Sequence, residues 1–132
     1  MTMTTELMIL GWTLVLALVQ ISLTAALRTG ETGLAYNMGP RDAAAPPMRP
    51  MTARLQRAQA NLFETLPLFA AAVLIAHVAG REGELTLWGS YAYLGARVLY
   101  VPLYAFGVPV VRSLAWGVAL AGLVMILVAI LH

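Results

Sequence analysis

Four stretches of the chain are long, apolar and nearly free of charge. Leu7 to Leu27 is a run of 21 residues with no charged side chain. A second run covers roughly 59–79, a third roughly 85–106 and a fourth roughly 113–131. A helix needs about 20 mostly apolar residues to cross a bilayer. Backbone groups in lipid must be satisfied within their own segment, so the pattern predicts helices and not strands. Between the runs lie Gly, Pro and charge clusters, which mark connections. The first connection, 28–56, holds Gly30, Gly33, Gly39, Pro40, Pro46, Pro47 and Pro50 and is expected to be irregular. The other two, around GREGE at 80–84 and from Gly107 to Arg112, are short. Short connections favour antiparallel neighbours. The expected architecture is therefore all-α: one integral membrane domain over 1–132, a four-helix up-down bundle.

Composition strengthens the membrane reading. Of 132 residues, 61% are hydrophobic and only 11% charged, against about 25% charged in soluble domains. There is no cysteine, which removes disulfides, thiolate metal sites and a thiol nucleophile of the protein's own. No metal is expected. A net charge of +2 without a basic stripe gives no footprint for nucleic acid. The N-terminus carries Glu6 and no basic residue, so a cleaved signal peptide is not expected. All eight basic residues are Arg. Arg28, Arg41, Arg49, Arg54, Arg57 and Arg112 fall in or beside the first and third connections, and the second holds Arg81 alone. Basic residues stay on the cytoplasmic side. The loop 28–56 is thus expected in the cytoplasm and both termini outside.

Polar residues within spans are costly and face protein or a water-filled cavity. At about 100° per residue, Arg54, Arg57, Asn61 and Glu64 form one narrow stripe on the second helix. Gln59 falls on the opposite side. A helix with polar groups on two faces has protein on both, which an oligomer centred on it provides. The third helix carries Tyr93, Arg97, Tyr100 and Tyr104 within about 60° of arc. Tyr91 lies off that stripe and belongs with Trp88 in an interfacial belt.

Depth brings the two stripes together. At 1.5 Å per residue, Glu64 lies about 10 Å from Arg57 and Arg97 about 13 Å from Phe106, measured from the same side. Glu64 and Arg97 are therefore expected to form an ion pair, since an unpaired charge there would cost several kcal/mol. Asn61, Tyr100 and Tyr104 lie nearer the cytoplasm, and Arg57, Asn61, Glu64, Tyr100, Tyr104 and Arg112 all fall in one layer. Such a layer suits a small charged ligand, and its arginines point to carboxylates on that ligand. Other polar or small residues have blander readings. Arg54 is a snorkelling anchor, His77 and Gln20 are packing residues, and Gly117 and Ala121 allow close helix approach.

RLQRAQANLFETLPLF at 54–69 closely resembles the signature of the MAPEG family, the membrane-associated proteins of eicosanoid and glutathione metabolism. The pattern Arg-x-x-Arg-Ala-x-x-Asn-x-x-Glu is met by Arg54, Arg57, Ala58, Asn61 and Glu64. GARVLYVPLYAFGVPVVRS at 95–113 is similar to the family's third helix and following turn, and NMGPRDAAAPP to a short bacterial branch. The resemblance implies a homotrimer in a bacterial inner membrane, with glutathione as co-substrate between adjacent subunits. By position, Arg57, Asn61, Glu64, Tyr100 and Tyr104 would bind glutathione. Arg112 would stabilise its thiolate, and Gln59 and Arg28 would approach from the neighbouring subunit. Thr65 follows the glutamate where eicosanoid-forming members carry Tyr, so the likeness does not extend to eicosanoid synthesis. Arg112 sits one residue further from Tyr104 than in one branch of the family.

The expected activity is that of a detoxifying glutathione S-transferase, or glutathione peroxidase, acting on lipophilic electrophiles in membrane lipid. The alternative is a non-catalytic scaffold or lipid-binding protein on the same fold. A proton-coupled exporter needs a carboxylate in the first span, which Leu7 to Leu27 lacks.

Overall fold

A computed structural model describes residues 2–132. They form five helices: α1 (Thr5–Thr32), α2 (Leu34–Met38), α3 (Pro50–Val78), α4 (Glu84–Ala105) and α5 (Pro109–Leu131). Each start has a local cause. Thr4 caps α1 through its hydroxyl, which accepts from the Leu7 amide, and Glu6 sits in the positive first turn. Pro at the first position opens α3 and α5, where its missing N–H costs nothing. At the start of α4 the Thr86 hydroxyl accepts from the Gly83 amide.

One expectation needs correction at the loop end. The first connection is not irregular throughout: α1 continues to Thr32, α2 fills five residues of the connection, and α3 begins at Pro50. Hydropathy follows the lipid, and these helical turns lie beyond the apolar runs. The Arg28–Glu31 ion pair at 2.8 Å and the Thr52 hydroxyl donating to Glu31 hold the extension of α1 against the start of α3. Arg28 also reaches the Pro46 carbonyl at 2.8 Å. Three helices, α1, α3 and α5, are long and apolar enough to cross a membrane. The 22-residue α4 is not among them, because Arg97 and its four tyrosines lower its hydropathy.

The packing is inverted relative to a soluble protein. Leu14, Val15, Leu18 and Val19 of α1 and Val124 and Val128 of α5 are exposed, while Thr13, Gln20, Ser90 and Arg97 are buried. An apolar outer face with polar groups inside matches a bilayer as solvent. Thr13 and Ser90 satisfy their hydroxyls on carbonyls one turn back, Ile9 at 2.8 Å and Thr86 at 2.6 Å. The core runs through Ile9, Leu62, Leu66, Phe69, Val73, Tyr93, Leu123 and Ile126, and Tyr93 stacks on Phe69 at 4.0 Å between ring centres.

Gly117 and Ala121 are expected to allow close helix approach, but within the chain the closest approach, between α4 and α5, lies elsewhere. Both residues are exposed, and a Cβ on Gly117 would meet nothing. The contact is Gly89 against Gly122, where a Cβ on either would lie 2.5–2.6 Å from the other's carbonyl oxygen. Only two glycines permit backbones that close.

Side-chain contacts define two ends of the molecule. At one, Thr4 donates to Glu82 at 2.7 Å, Glu82 meets His77 at 3.2 Å, and Thr86 donates to Glu6 at 2.6 Å. At the other, Arg54 reaches the Ala105 carbonyl at 3.4 Å and Arg57 reaches Tyr104. Arg54 thus serves the last carbonyls of α4 and not only a lipid headgroup, correcting the expectation for that residue.

Candidate functional site

The α3 and α4 stripes meet around a cavity of about 450 Å³ at the Arg54 end. Arg57, Asn61 and Glu64 come from α3, Tyr100 and Tyr104 from α4, and Arg112 from the first turns of α5. Those are the six residues expected in one layer. The helical spacing explains the result: positions three and four apart share a face. Ala60, Ser113 and Trp116 also line the cavity. Trp116 was legible in principle, since it lies four residues after Arg112.

The floor of the site is an aromatic–cation stack. Tyr104 presents its ring to the Arg112 guanidinium at 4.6 Å and to that of Arg57 at 5.7 Å. Arg57 Nε also donates to the Tyr104 hydroxyl at 3.0 Å. Tyr100 meets Tyr104 edge-on, with ring centres 5.5 Å apart. Planar guanidinium groups stack on aromatic faces without losing their outward N–H donors. Both arginines therefore stay available to an anion.

The Glu64–Arg97 ion pair expected from depth is not formed. Among the described residues Arg28–Glu31 is an ion pair, and His77 meets Glu82 at 3.2 Å. Arg97 is 2% exposed and gives its Nη1 to Asn61 Oδ1 at 2.8 Å, with its guanidinium 4.5 Å above the Tyr100 ring. The reason is axial: Asn61 lies one turn before Glu64, about 4.5 Å along the helix, and Arg97 meets that turn. Glu64 is exposed and has no hydrogen-bond or ion-pair partner among the described residues.

Arg28 and Gln59 lie elsewhere. They line a second cavity of about 480 Å³ between α1, α2 and α3, together with Thr24, Asn37, Arg41 and Gln56. This is the opposite side of α3 from Asn61, as the helical angle requires. No group of His, Asp or Glu suited to a metal ion occurs among the described residues.

An all-helical chain with an apolar exterior, three helices able to cross a bilayer and a polar cavity at one end defines an integral membrane protein. The particular family follows from comparison: the chain belongs to the MAPEG family, which it matches over residues 9–132, nearly its whole length. It is thus a membrane protein of the glutathione and eicosanoid metabolism family. Comparison with curated proteins and with solved structures gives no match.

Proposed function

We propose that the protein is a membrane-bound glutathione transferase that acts on lipophilic electrophiles. The observation that carries this is the single cavity lined by Arg57, Asn61, Glu64, Tyr100, Tyr104 and Arg112. It offers two guanidinium groups, an amide and two phenols, against one carboxylate. Glutathione has the complementary set: two carboxylates, amide groups, one ammonium and a thiol. Arg57 and Arg112 would take anionic groups, and Glu64, which has no partner among the described residues, would take the ammonium. A volume near 450 Å³ is within the range of small-ligand pockets, about 300–1,000 Å³.

In this reading Arg112 favours the ionised thiol by its positive charge. The thiol proton passes to solvent. The thiolate then forms a C–S bond to the electrophilic carbon, and the leaving group departs with the electron pair of the bond that breaks.

The assembly belongs to the same proposal. Arg57 and Glu64 are exposed on α3, and beyond Arg57 every other exposed residue of that helix is apolar. Charges are costly against lipid, so another copy covers that flank. In this reading Arg28 and Gln59, on the far side of α3, would approach a neighbour's cavity. A homotrimer of four-helix up-down bundles, with α4 spanning beside the three more apolar helices, accounts for both faces. The arginine distribution favours a cytoplasmic loop end, and the likeness to a short bacterial branch favours a bacterial inner membrane.

The test is glutathione added to purified trimer. Thiolate absorbance in the ultraviolet should appear, and thermal stability should rise. If neither happens, the transferase reading fails and a non-catalytic scaffold takes its place.

A further inference from the structure

We infer that Arg97 is a positioning residue that locks the Asn61 side chain so that its N–H donors, and not its oxygen, face the cavity. The inference deepens the glutathione reading and rests on it for the ligand.

Asn61 lines the cavity, while Arg97 lies behind it, 2% exposed. An amide side chain presents an acceptor at one end and donors at the other, and either end can in principle face a ligand. A guanidinium has donors only. The atom 2.8 Å from Arg97 Nη1 must therefore be Oδ1. That leaves Nδ2 on the cavity side, where it makes no hydrogen bond to any described residue and is not among the buried unpartnered atoms. Arg97 is itself held in place, with its guanidinium 4.5 Å above the Tyr100 ring. One buried cation thus orients two lining groups, the Asn61 amide and the Tyr100 ring.

The chemical consequence is selectivity. The Asn61 position offers N–H to an oxygen of the ligand, a carboxylate or a peptide carbonyl. Its oxygen is turned toward Arg97 and away from any ammonium or peptide N–H in the cavity. Glu64, one turn along α3, is left as the acceptor for a positive group. The cavity thereby has a polarity along α3, oxygen-binding at Asn61 and ammonium-binding at Glu64.

Asn61→Asp tests this, because it replaces the donor end with an acceptor and keeps the shape. One carboxylate oxygen would meet Arg97 and give the buried guanidinium a counter-charge. The other would point into the cavity. Glu64 opposes this by like charge, but Arg97, 2.8 Å from that side chain, is the nearer charge and outweighs it. The expected outcome has opposite signs: thermal stability without ligand rises by about 2–4 °C, while glutathione affinity by calorimetry falls about tenfold or more. A packing or strut role moves both quantities in one direction. A variant that is less stable than wild type, or too unstable to purify, overturns the Arg97–Asn61 geometry. A variant that is more stable but binds glutathione as wild type does overturns the positioning role. If the wild type itself binds no glutathione, the transferase reading falls, and the ligand-free stability of the variant still decides the geometry.

Discussion

Both ends of the helix array carry polar side chains, and the polar turn at one end and the cavity at the other use them in opposite ways. At the end where α3 meets α4 through a tight turn, the polar groups are satisfied by one another. Glu6 accepts from Thr86, whose hydroxyl also accepts from the Gly83 amide, and Glu82 is shared by Thr4 and His77. At the Arg54 end, Arg57 and Arg112 stack on Tyr104 with donors left over, Asn61 keeps Nδ2 open, and Glu64 has no partner among the described residues. A satisfied network adds rigidity. An unsatisfied set arranged around a cavity is available to a ligand. Polar residue count alone does not separate a strut from a site; the disposition of their hydrogen bonds does.

The sharpest break between the two ends should come from Arg112→Ala. Loss of the proposed charge beside the thiol should lower conjugation by about 10²–10³-fold, with thermal stability nearly unchanged, read by steady-state kinetics and a melting curve. Thr86→Val should show the reverse. Glu6 is buried and would lose its donor, and the Gly83 amide would lose its acceptor, so unfolding should become easier by about 1–3 kcal/mol. Glutathione affinity should not move. A tenfold loss of affinity in Thr86→Val would show that the two ends are coupled and that the comparison fails. Glu64→Gln should weaken glutathione binding by about tenfold without destabilising the protein, because no described residue bonds to that carboxylate. The smallest effect is expected for His77→Ala. The His77–Glu82 contact is half-buried, Thr4 still serves Glu82, and the loss should stay below about 1 kcal/mol in a denaturation experiment.

Hydropathy made the helices legible before any coordinates, because lipid imposes the same demand on every spanning residue. Helical periodicity likewise collected Arg57, Asn61 and Glu64 on one face and set Gln59 on the other, since the 100° step is a property of the backbone alone. Tyr100, Tyr104 and Arg112 joined them through matching depth. These inferences need only one helix, or two helices compared along one axis.

Other features depended on how helices meet. Depth along an axis is good to about one turn, and Asn61 and Glu64 are one turn apart, so the partner of Arg97 was beyond its resolution. The glycines that touch are Gly89 and Gly122 and not Gly117, because helix rotation decides which small residue faces a neighbour. The polar turns from Arg28 to Thr32 and from Pro50 onward carry no hydropathy signal. They are held as helix by Glu31 bonding to Arg28 and Thr52 across the loop. In the RLQRAQANLFETLP stretch, local periodicity determines which residues share a face. Which of them meets Arg97 and which is left open to the cavity is set by the packing of α3 against α4, since a hydrogen bond is decided within a few tenths of an ångström and a helical repeat is not.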